Sequence, residues 1–274
     1  MSATPTQHPK AYVRAAHRSE RKDIARVLTR AFAKDPAMNW FGCVPELVDD
    51  IVSPSPRAKR SMRNLSQFQN SLVRAIMLVE GVVEVVVVPR VDEARANTPL
   101  AEGKEKRKSE EAPQKEEVVG VALWLPPGQT LDMNPLTLLR AGILKVLFGW
   151  GPRGVKRLMI DFEPILNRTL EKAFGARGLD WRDSWHLLEM AIDPGHQGKG
   201  YATMLMEEGY RRASPKPVHL EATRAFSRDI YLHYGFEIDE EHQFGVGAVD
   251  ERGVKAKGKA ATGYPEWVMT KWTV

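Results

Sequence analysis

The chain has 274 residues, 43% of them apolar and 27% charged, which is the balance of a globular protein able to bury a sizeable core. Its single cysteine, Cys43, excludes an internal disulfide, and its net charge of +5 mildly favours anionic ligands. The most apolar stretch, residues 76–88, is too short and too charged to span a bilayer, and residues 1–10 lack the apolar core of a signal peptide. We therefore expect a cytoplasmic protein without membrane contact.

The first third of the chain predicts a strand, two helices and a strand pair. Residues 12–15 form a plausible first strand. Apolar positions at helical spacing from Ile24 to Phe32 predict an amphipathic helix, which Asp35-Pro36 ends. A second helix is predicted over 56–79, and apolar runs at 82–88 and 118–125 predict an antiparallel pair of buried strands.

Two segments are read as insertions. Residues 90–117 are dense in Glu, Lys and Arg, and their low hydrophobicity predicts a flexible, charged insertion between the paired strands. Residues 134–174 show helical periodicity, interrupted at Gly149-Trp-Gly-Pro152, and are predicted to be a helical insertion.

The last third of the chain alternates strands with shorter helices. The predicted order is a strand over 185–192, a glycine-rich turn, a helix over 201–213, a strand over 219–222, a short helix over 227–234, and strands starting at 235 and 267. This order lacks strict βα alternation and predicts an α+β fold with a mixed sheet. We expect one domain over 11–274, preceded by disordered residues 1–10.

The glycine-rich turn between the strand and helix near residue 200 predicts a phosphate-binding site. Gly198 and Gly200 allow the backbone to turn tightly and approach a ligand. The helix that follows offers unpaired N–H groups and the positive end of its dipole. Together these features favour an anionic group, although an ordinary strand–helix connection would also fit the turn alone.

Two common phosphate-binding motifs are excluded at this turn. A Walker loop requires Lys and a hydroxyl where this chain has Tyr201 and Ala202. A dinucleotide fold requires a third glycine where Thr203 stands, and only about 50 residues follow Glu221, too few to complete a doubly wound sheet.

The segment Gln197-Gly-Lys-Gly-Tyr-Ala202 instead matches the pattern Q/R-x-x-G-x-G/A, and here the chain resembles the GNAT superfamily of N-acetyltransferases. Ile230-Tyr-Leu-His-Tyr-Gly-Phe236 is similar to a second signature of that family. Ser227 departs from the pattern, since many members have asparagine there. The resemblance implies a central, mostly antiparallel mixed sheet of about seven strands flanked by helices.

The resemblance also implies acetyl-coenzyme A as cosubstrate, with no metal. The loop would hold the pyrophosphate through its backbone amides, while the preceding strand would pair with the pantetheine arm. The residues implied in cofactor binding are Met190, Ala191, Ile192, Gln197, Gly198, Lys199, Gly200, Tyr201, Ala202 and Ser227.

Three side chains are candidates for catalysis. The resemblance places Tyr231 beside the thioester sulfur, and a phenol protonated at neutral pH can serve as general acid. His186 and Glu189 are alternative general bases on the strand over 185–192. Because side chains alternate along a strand, only one of the two is expected to face the site.

The implied reaction is transfer of an acetyl group to a primary amine of a small molecule, by direct attack. Trp40 and Trp124 are candidate walls of an acceptor pocket, since aromatic faces attract ammonium groups, and core packing is their alternative role. Glu221 is a candidate contact for a cationic substrate. The alternative hypotheses for the function are a non-catalytic acyl-coenzyme A sensor and a peptide or protein N-acetyltransferase. No basic helix indicates a nucleic-acid partner.

Overall fold

A computed structural model of the chain describes residues 10–89, 116–131 and 134–273. Within these ranges seven strands form one mixed sheet in the order β1-β2-β3-β4-β5-β7-β6. The strands are β1 (Tyr12–Ala15), β2 (Val82–Pro89), β3 (Glu116–Leu125), β4 (Trp185–Ile192), β5 (Val218–Ala222), β6 (Glu237–Phe244) and β7 (Tyr264–Lys271). All neighbours are antiparallel except β4 and β5. The predicted α+β class and mixed sheet are confirmed.

Eight α-helices flank the sheet in the described ranges. They are α1 (Arg21–Ala31), α2 (Pro36–Phe41), α3 (Pro56–Leu78), α4 (Pro135–Ala141), α5 (Ile143–Lys156), α6 (Glu163–Gly175), α7 (Tyr201–Ala213) and α8 (Ala225–His233). The predicted interruption in the helical insertion occurs at Gly151, whose φ of 71° lies outside the helical region. A π-helical segment, Arg157–Phe162, joins α5 to α6.

The sheet has an apolar core on each face. Helix α7 packs on one face through Leu205 and Met206, and α1 and α3 pack on the other. Gly209 of α7 lies directly on the indole of Trp124, where a Cβ atom would come within 2.2 Å of the ring. That glycine therefore allows the helix to approach the sheet closely.

Strands β4 and β5 pair only at their beginnings, and this divergence creates the cleft of the molecule. Their parallel register includes Trp185 with Val218 and His186 with His219, and no further pairs. On its other side β4 is bulged, since Leu123 and Trp124 pair with Glu189 and Leu187, leaving Leu188 unpaired. A bulge bends and twists its strand, which is consistent with β4 turning away from β5.

The structure confirms one predicted helix end and changes another predicted boundary. A 3-10 turn over Phe32–Lys34 continues α1 and ends at Asp35, as predicted, and Asp35 also caps α2, because its carboxylate accepts a hydrogen bond from the Met38 amide at 3.0 Å. Strand β3 begins at Glu116, so the predicted insertion over 90–117 is too long by two residues. The rest of that insertion, and residues 1–9, lie outside the described residues.

Candidate active site

The turn after β4 presents a row of exposed backbone amides. Residues 197–200 are exposed, and Gly198 and Gly200 have φ angles of 75° and 78°. In the described part of the chain, no group accepts a hydrogen bond from the amides of residues 198–202. These amides open onto solvent at the N-terminus of α7, where the helix dipole favours an anion.

Asp193 fixes the start of this turn. Its carboxylate accepts hydrogen bonds from the Gly195 amide at 3.0 Å and from Arg30 Nε at 2.9 Å. Burial opposes ionisation of Asp193, but these hydrogen bonds outweigh it and lower its pKa. The turn is thus tied to α1 by a charged anchor, while its glycine-rich part is left open.

The other residues predicted to bind the cofactor lie where β4 leads into the turn. Met190 and Ser227 line the cleft between β4 and β5. The side chains of Ala191 and Ile192 face the two cores, so only their backbone groups can contact a ligand. The side chain of Gln197 donates to the carbonyl of Ile192 at 3.3 Å, and Lys199 is exposed.

Replacing Gly200 with alanine should weaken coenzyme A binding. A left-handed backbone costs a residue with a Cβ atom about 1–2 kcal/mol, so the turn would relax and move its amides. We expect the Kd for coenzyme A, measured by calorimetry, to rise about tenfold. Gly175→Ala is the matched control, because Gly175 lacks a positive φ and has open space around it. An unchanged Kd in Gly200→Ala would contradict the assigned role.

The cleft between β4 and β5 opens into a cavity of about 210 Å³. Tyr231, on α8, lines it together with Met190 of β4, and the Tyr231 ring packs against Phe236 with centroids 5.5 Å apart. Burial raises the pKa of the Tyr231 phenol, which therefore stays protonated at neutral pH. The predicted acid thus lies beside the strand segment predicted to hold the thioester.

The expectation that His186 and Glu189 face opposite sides of the sheet is wrong. The extra residue Leu188 shifts the alternation of β4 by one position, so both side chains turn toward the α3 side. Glu189 lines the first cavity, while His186 lines an adjoining cavity of about 380 Å³. Glu221 lines both cavities and connects the two candidate bases.

Glu189 is a buried carboxyl with one unsatisfied oxygen. It is 6% exposed; Oε1 accepts a hydrogen bond from Gln69 Nε2 at 3.0 Å, and Oε2 has no partner within the described residues. Burial raises the pKa of Glu189 to about 8, with a further rise from Asp35 and a partial offset from Gln69. At neutral pH it is therefore mostly a neutral acid.

His186 forms a paired unit with Glu221. The His186 Nε2 atom lies 2.9 Å from Glu221 Oε2, and the imidazole stacks on His219 at 4.4 Å between centroids. If Nε2 carries the proton, it donates to the carboxylate and leaves Nδ1 as the acceptor atom. Burial holds the pKa of His219 well below its usual value, so His219 is a neutral neighbour.

Three further carboxyls of the cleft were not singled out from the sequence. Asp35 and Glu266 line the first cavity, and Glu163 lines the second. Burial raises the pKa of all three. One signal was present in the sequence, because Glu266 is the single acidic residue of β7. Asp35 was interpreted only as the residue that ends a helix.

The two tryptophans predicted as pocket walls are core residues. Trp124 is 1% exposed and packs under Gly209 of α7, on the face of the sheet opposite the carboxyls. Trp40 is also buried, with Phe244 and Tyr264 around its ring. Its helix does reach the cavity, but through Met38 and neighbouring residues instead. Both indole rings therefore pack in the core and do not form the walls of a pocket.

None of the helices in residues 10–89, 116–131 and 134–273 combines the length and apolarity needed to cross a bilayer. In the same ranges, no three His, Cys, Asp or Glu side chains are grouped so that they could hold a metal ion.

Comparisons with known proteins agree with this architecture. Residues 167–238 match the family model of the acetyltransferase (GNAT) domain. An uncharacterized N-acetyltransferase of Schizosaccharomyces pombe is 32% identical over 119 residues, which are 43% of this chain and 47% of the yeast protein. The match thus spans about half the length of that curated relative.

Two solved structures share the fold. One is the Corynebacterium glutamicum protein named histone acetyltransferase HPA2 and related acetyltransferase, with a TM-score of 0.51, 20% identity, and coverage of 96% of this chain and 97% of that one. The other is an insect protein named as an arylalkylamine N-acetyltransferase 7, from the mosquito Aedes aegypti, with a TM-score of 0.54, 16% identity, and coverage of 96% and 87%. Residues 167–238 of this chain thus match a GNAT acetyltransferase domain, and the sheet around them has the fold of these two structures.

Proposed function

We propose that the protein transfers an acetyl group from acetyl-coenzyme A to a primary amine of a small molecule. One observation carries the proposal. The open amides of residues 198–202 stand at one end of the β4–β5 cleft, and Tyr231, Glu189 and Glu221 line the cavity within it. The chain thus offers an anion site in the turn that follows β4 and proton-transfer groups in the cleft beside β4.

The residues present fit coenzyme A. Exposed amides at a helix N-terminus suit a diphosphate, and the unpaired edge of β4 beyond His186 offers backbone groups to an extended amide arm. The bound cosubstrate supplies an acetyl thioester, whose C–S bond breaks as the C–N bond to the amine forms.

The chain provides a side chain or a backbone group for each proton transfer and for the developing negative charge. Tyr231 is placed to donate its phenolic proton to the departing sulfur. A backbone N–H near Met190 can stabilise the developing oxyanion, since it lies on the strand edge that borders the cavity. His186 Nδ1 takes the proton released by the attacking amine, and Glu221 stabilises the resulting imidazolium. Glu189, mostly neutral at pH 7, is the weaker candidate for the base.

The walls of the cleft favour a small acceptor. Leu158 and Phe162, from the segment between α5 and α6, line both cavities opposite β4. An acceptor of limited size, with an apolar part and a cationic end, suits these surroundings.

The test is a thiol-release assay with acetyl-coenzyme A and a panel of small primary amines, with products identified by mass spectrometry. His186→Gln should lower kcat by about 100-fold, because it removes the proton acceptor. His233→Gln, on the exposed side of α8, is the matched control and should retain activity. A protein that binds coenzyme A yet acetylates no amine would overturn the proposed function, and an active His186→Gln variant would overturn the assigned base.

A further inference from the structure

The two joined cavities carry an unusual number of carboxyl groups for apolar surroundings. Asp35, Glu189, Glu221 and Glu266 line the first cavity, and Glu163 joins Glu221 in the second. The remaining walls of the first cavity are largely phenylalanine, leucine and methionine side chains, whereas the second cavity also contains polar side chains and Arg182. Burying several carboxyls in such a place is costly unless a ligand compensates for them.

Several oxygen atoms of these carboxyls lack partners. Glu266 is fully buried, and neither of its oxygens has a hydrogen-bond partner within the described ranges. Oε2 of Glu189 and Oε1 of Glu221 are unpaired there in the same way. By contrast, both oxygens of Asp35 are used, by the Met38 amide and by the Thr223 hydroxyl. The unpaired oxygens therefore mark Glu266, Glu189 and Glu221 as the positions awaiting a donor.

These carboxyls are distributed along the cleft. Glu221 pairs in register with Val268, so Glu266, two residues along β7, is its diagonal neighbour on the same face. Diagonal neighbours in a sheet stand roughly 7–8 Å apart, too far to share one ammonium group. No three acidic side chains in the described ranges converge as they would around a metal ion.

The charged groups around Glu266 do not neutralise it. Glu221 and Asp35 are the charged side chains that act on it, and the phenol of Tyr264 lies close enough to lower the pKa of Glu266 without forming a hydrogen bond of normal geometry. Arg224 acts on Asp35, and Arg157 acts on Tyr264. An ammonium group brought next to Glu266 would itself lower the pKa of that carboxyl, so binding would ionise the carboxyl it contacts.

Building on the proposed function, we propose that the acceptor is a dicationic amine, in which an apolar spacer separates two ammonium groups. The reacting nitrogen lies near the His186–Glu221 pair and loses a proton to His186 before attack. The distal ammonium stays charged and donates to the unpaired oxygens of Glu266. The apolar walls contact the methylene groups of the spacer.

The test compares 1,4-diaminobutane with 1-aminobutane, which share one chain length and differ by one ammonium group. Calorimetric titration of the whole protein should give a Kd about tenfold or more lower for the diamine, because only the diamine satisfies Glu266. Glu266→Gln should remove this difference. Glu240→Gln, which removes a carboxylate from the exposed side of β6 and outside the cleft, should keep it.

Equal affinities for the two amines, or a preference that persists in Glu266→Gln, would overturn the inference. The comparison on the unsubstituted protein decides the question even if the variant does not fold. The same titrations separate this inference from the proposed function. A Glu266-dependent preference without acetyl transfer would refute only the activity, whereas efficient acetylation of the monoamine with no preference would refute only the dicationic acceptor.

Discussion

Replacing Tyr231 with phenylalanine is expected to lower kcat for acetyl transfer by about 100- to 1000-fold, the usual size of a lost general acid. The hydroxyl is the feature removed, while the ring that packs on Phe236 is kept. Burial already holds this phenol in its protonated form, so the native residue has a proton to donate throughout the neutral range. The affinity for acetyl-coenzyme A should change little, because the proposed contacts to its diphosphate lie at the α7 turn.

Tyr234→Phe is the matched control for this experiment. Tyr234 lies just beyond α8, and its hydroxyl pairs with Thr203 of α7 at 2.9 Å, away from the cavity linings. Its removal should leave kcat within a few-fold of the native value. Single-turnover measurements with two acetyl thioesters, one with a more basic and one with a less basic leaving thiolate, would add a second readout. The loss of rate in Tyr231→Phe should be larger for the more basic thiolate, because that thiolate depends more on a proton donor. A Tyr231→Phe variant with native kcat would refute the assignment.

Replacing Glu189 with glutamine should stabilise the protein at alkaline pH. The pKa of Glu189 is about 8 in the folded chain against about 4.5 when unperturbed. A carboxyl that binds its proton more tightly in the folded state makes the free energy of unfolding fall as pH rises between the two pKa values. The native protein therefore loses stability from pH 4.5 to about 8, and the variant lacks that contribution.

The expected gain in stability follows from the difference between the two pKa values of Glu189. At pH 8 the variant should be more stable by about 4 kcal/mol, which corresponds to a Tm about 10 °C higher, while at pH 5 the difference should be under about 1 kcal/mol. Urea denaturation at both pH values measures this directly. Glu240→Gln, on exposed β6, should leave the pH dependence unchanged. Parallel stability curves for the native protein and Glu189→Gln would contradict the assigned burial.

The sequence predicted what depends on local pattern and missed what depends on the register between strands. Gly198 and Gly200 predicted their turn, which the structure shows, and the resemblance around Gly235-Phe236 directed attention to Tyr231, which lines the cleft. The facing of His186 could not be predicted, because one unpaired residue, Leu188, inverts the alternation of β4. A bulge of this kind leaves no mark in hydrophobic periodicity.

The end of the cleft that we propose to bind the acceptor was the least predictable part for the same reason. Asp35 and Glu266 are more than 200 positions apart in the chain and meet only once β7 is placed beside β5. Trp124 was predicted as a candidate pocket wall, but an aromatic side chain at the end of a strand can equally well pack in the core. Its actual role depends on Gly209, which admits α7 onto the indole.

The proposed coenzyme A site is tested most directly by a titration of the ¹⁵N-labelled protein with coenzyme A, followed through the backbone amide resonances. We expect the amides of Gly198, Gly200 and Ala202 to shift most and to saturate together with the resonances of β4. Saturable binding that leaves these three amides unmoved would show that the diphosphate is held elsewhere, and would contradict the proposed site.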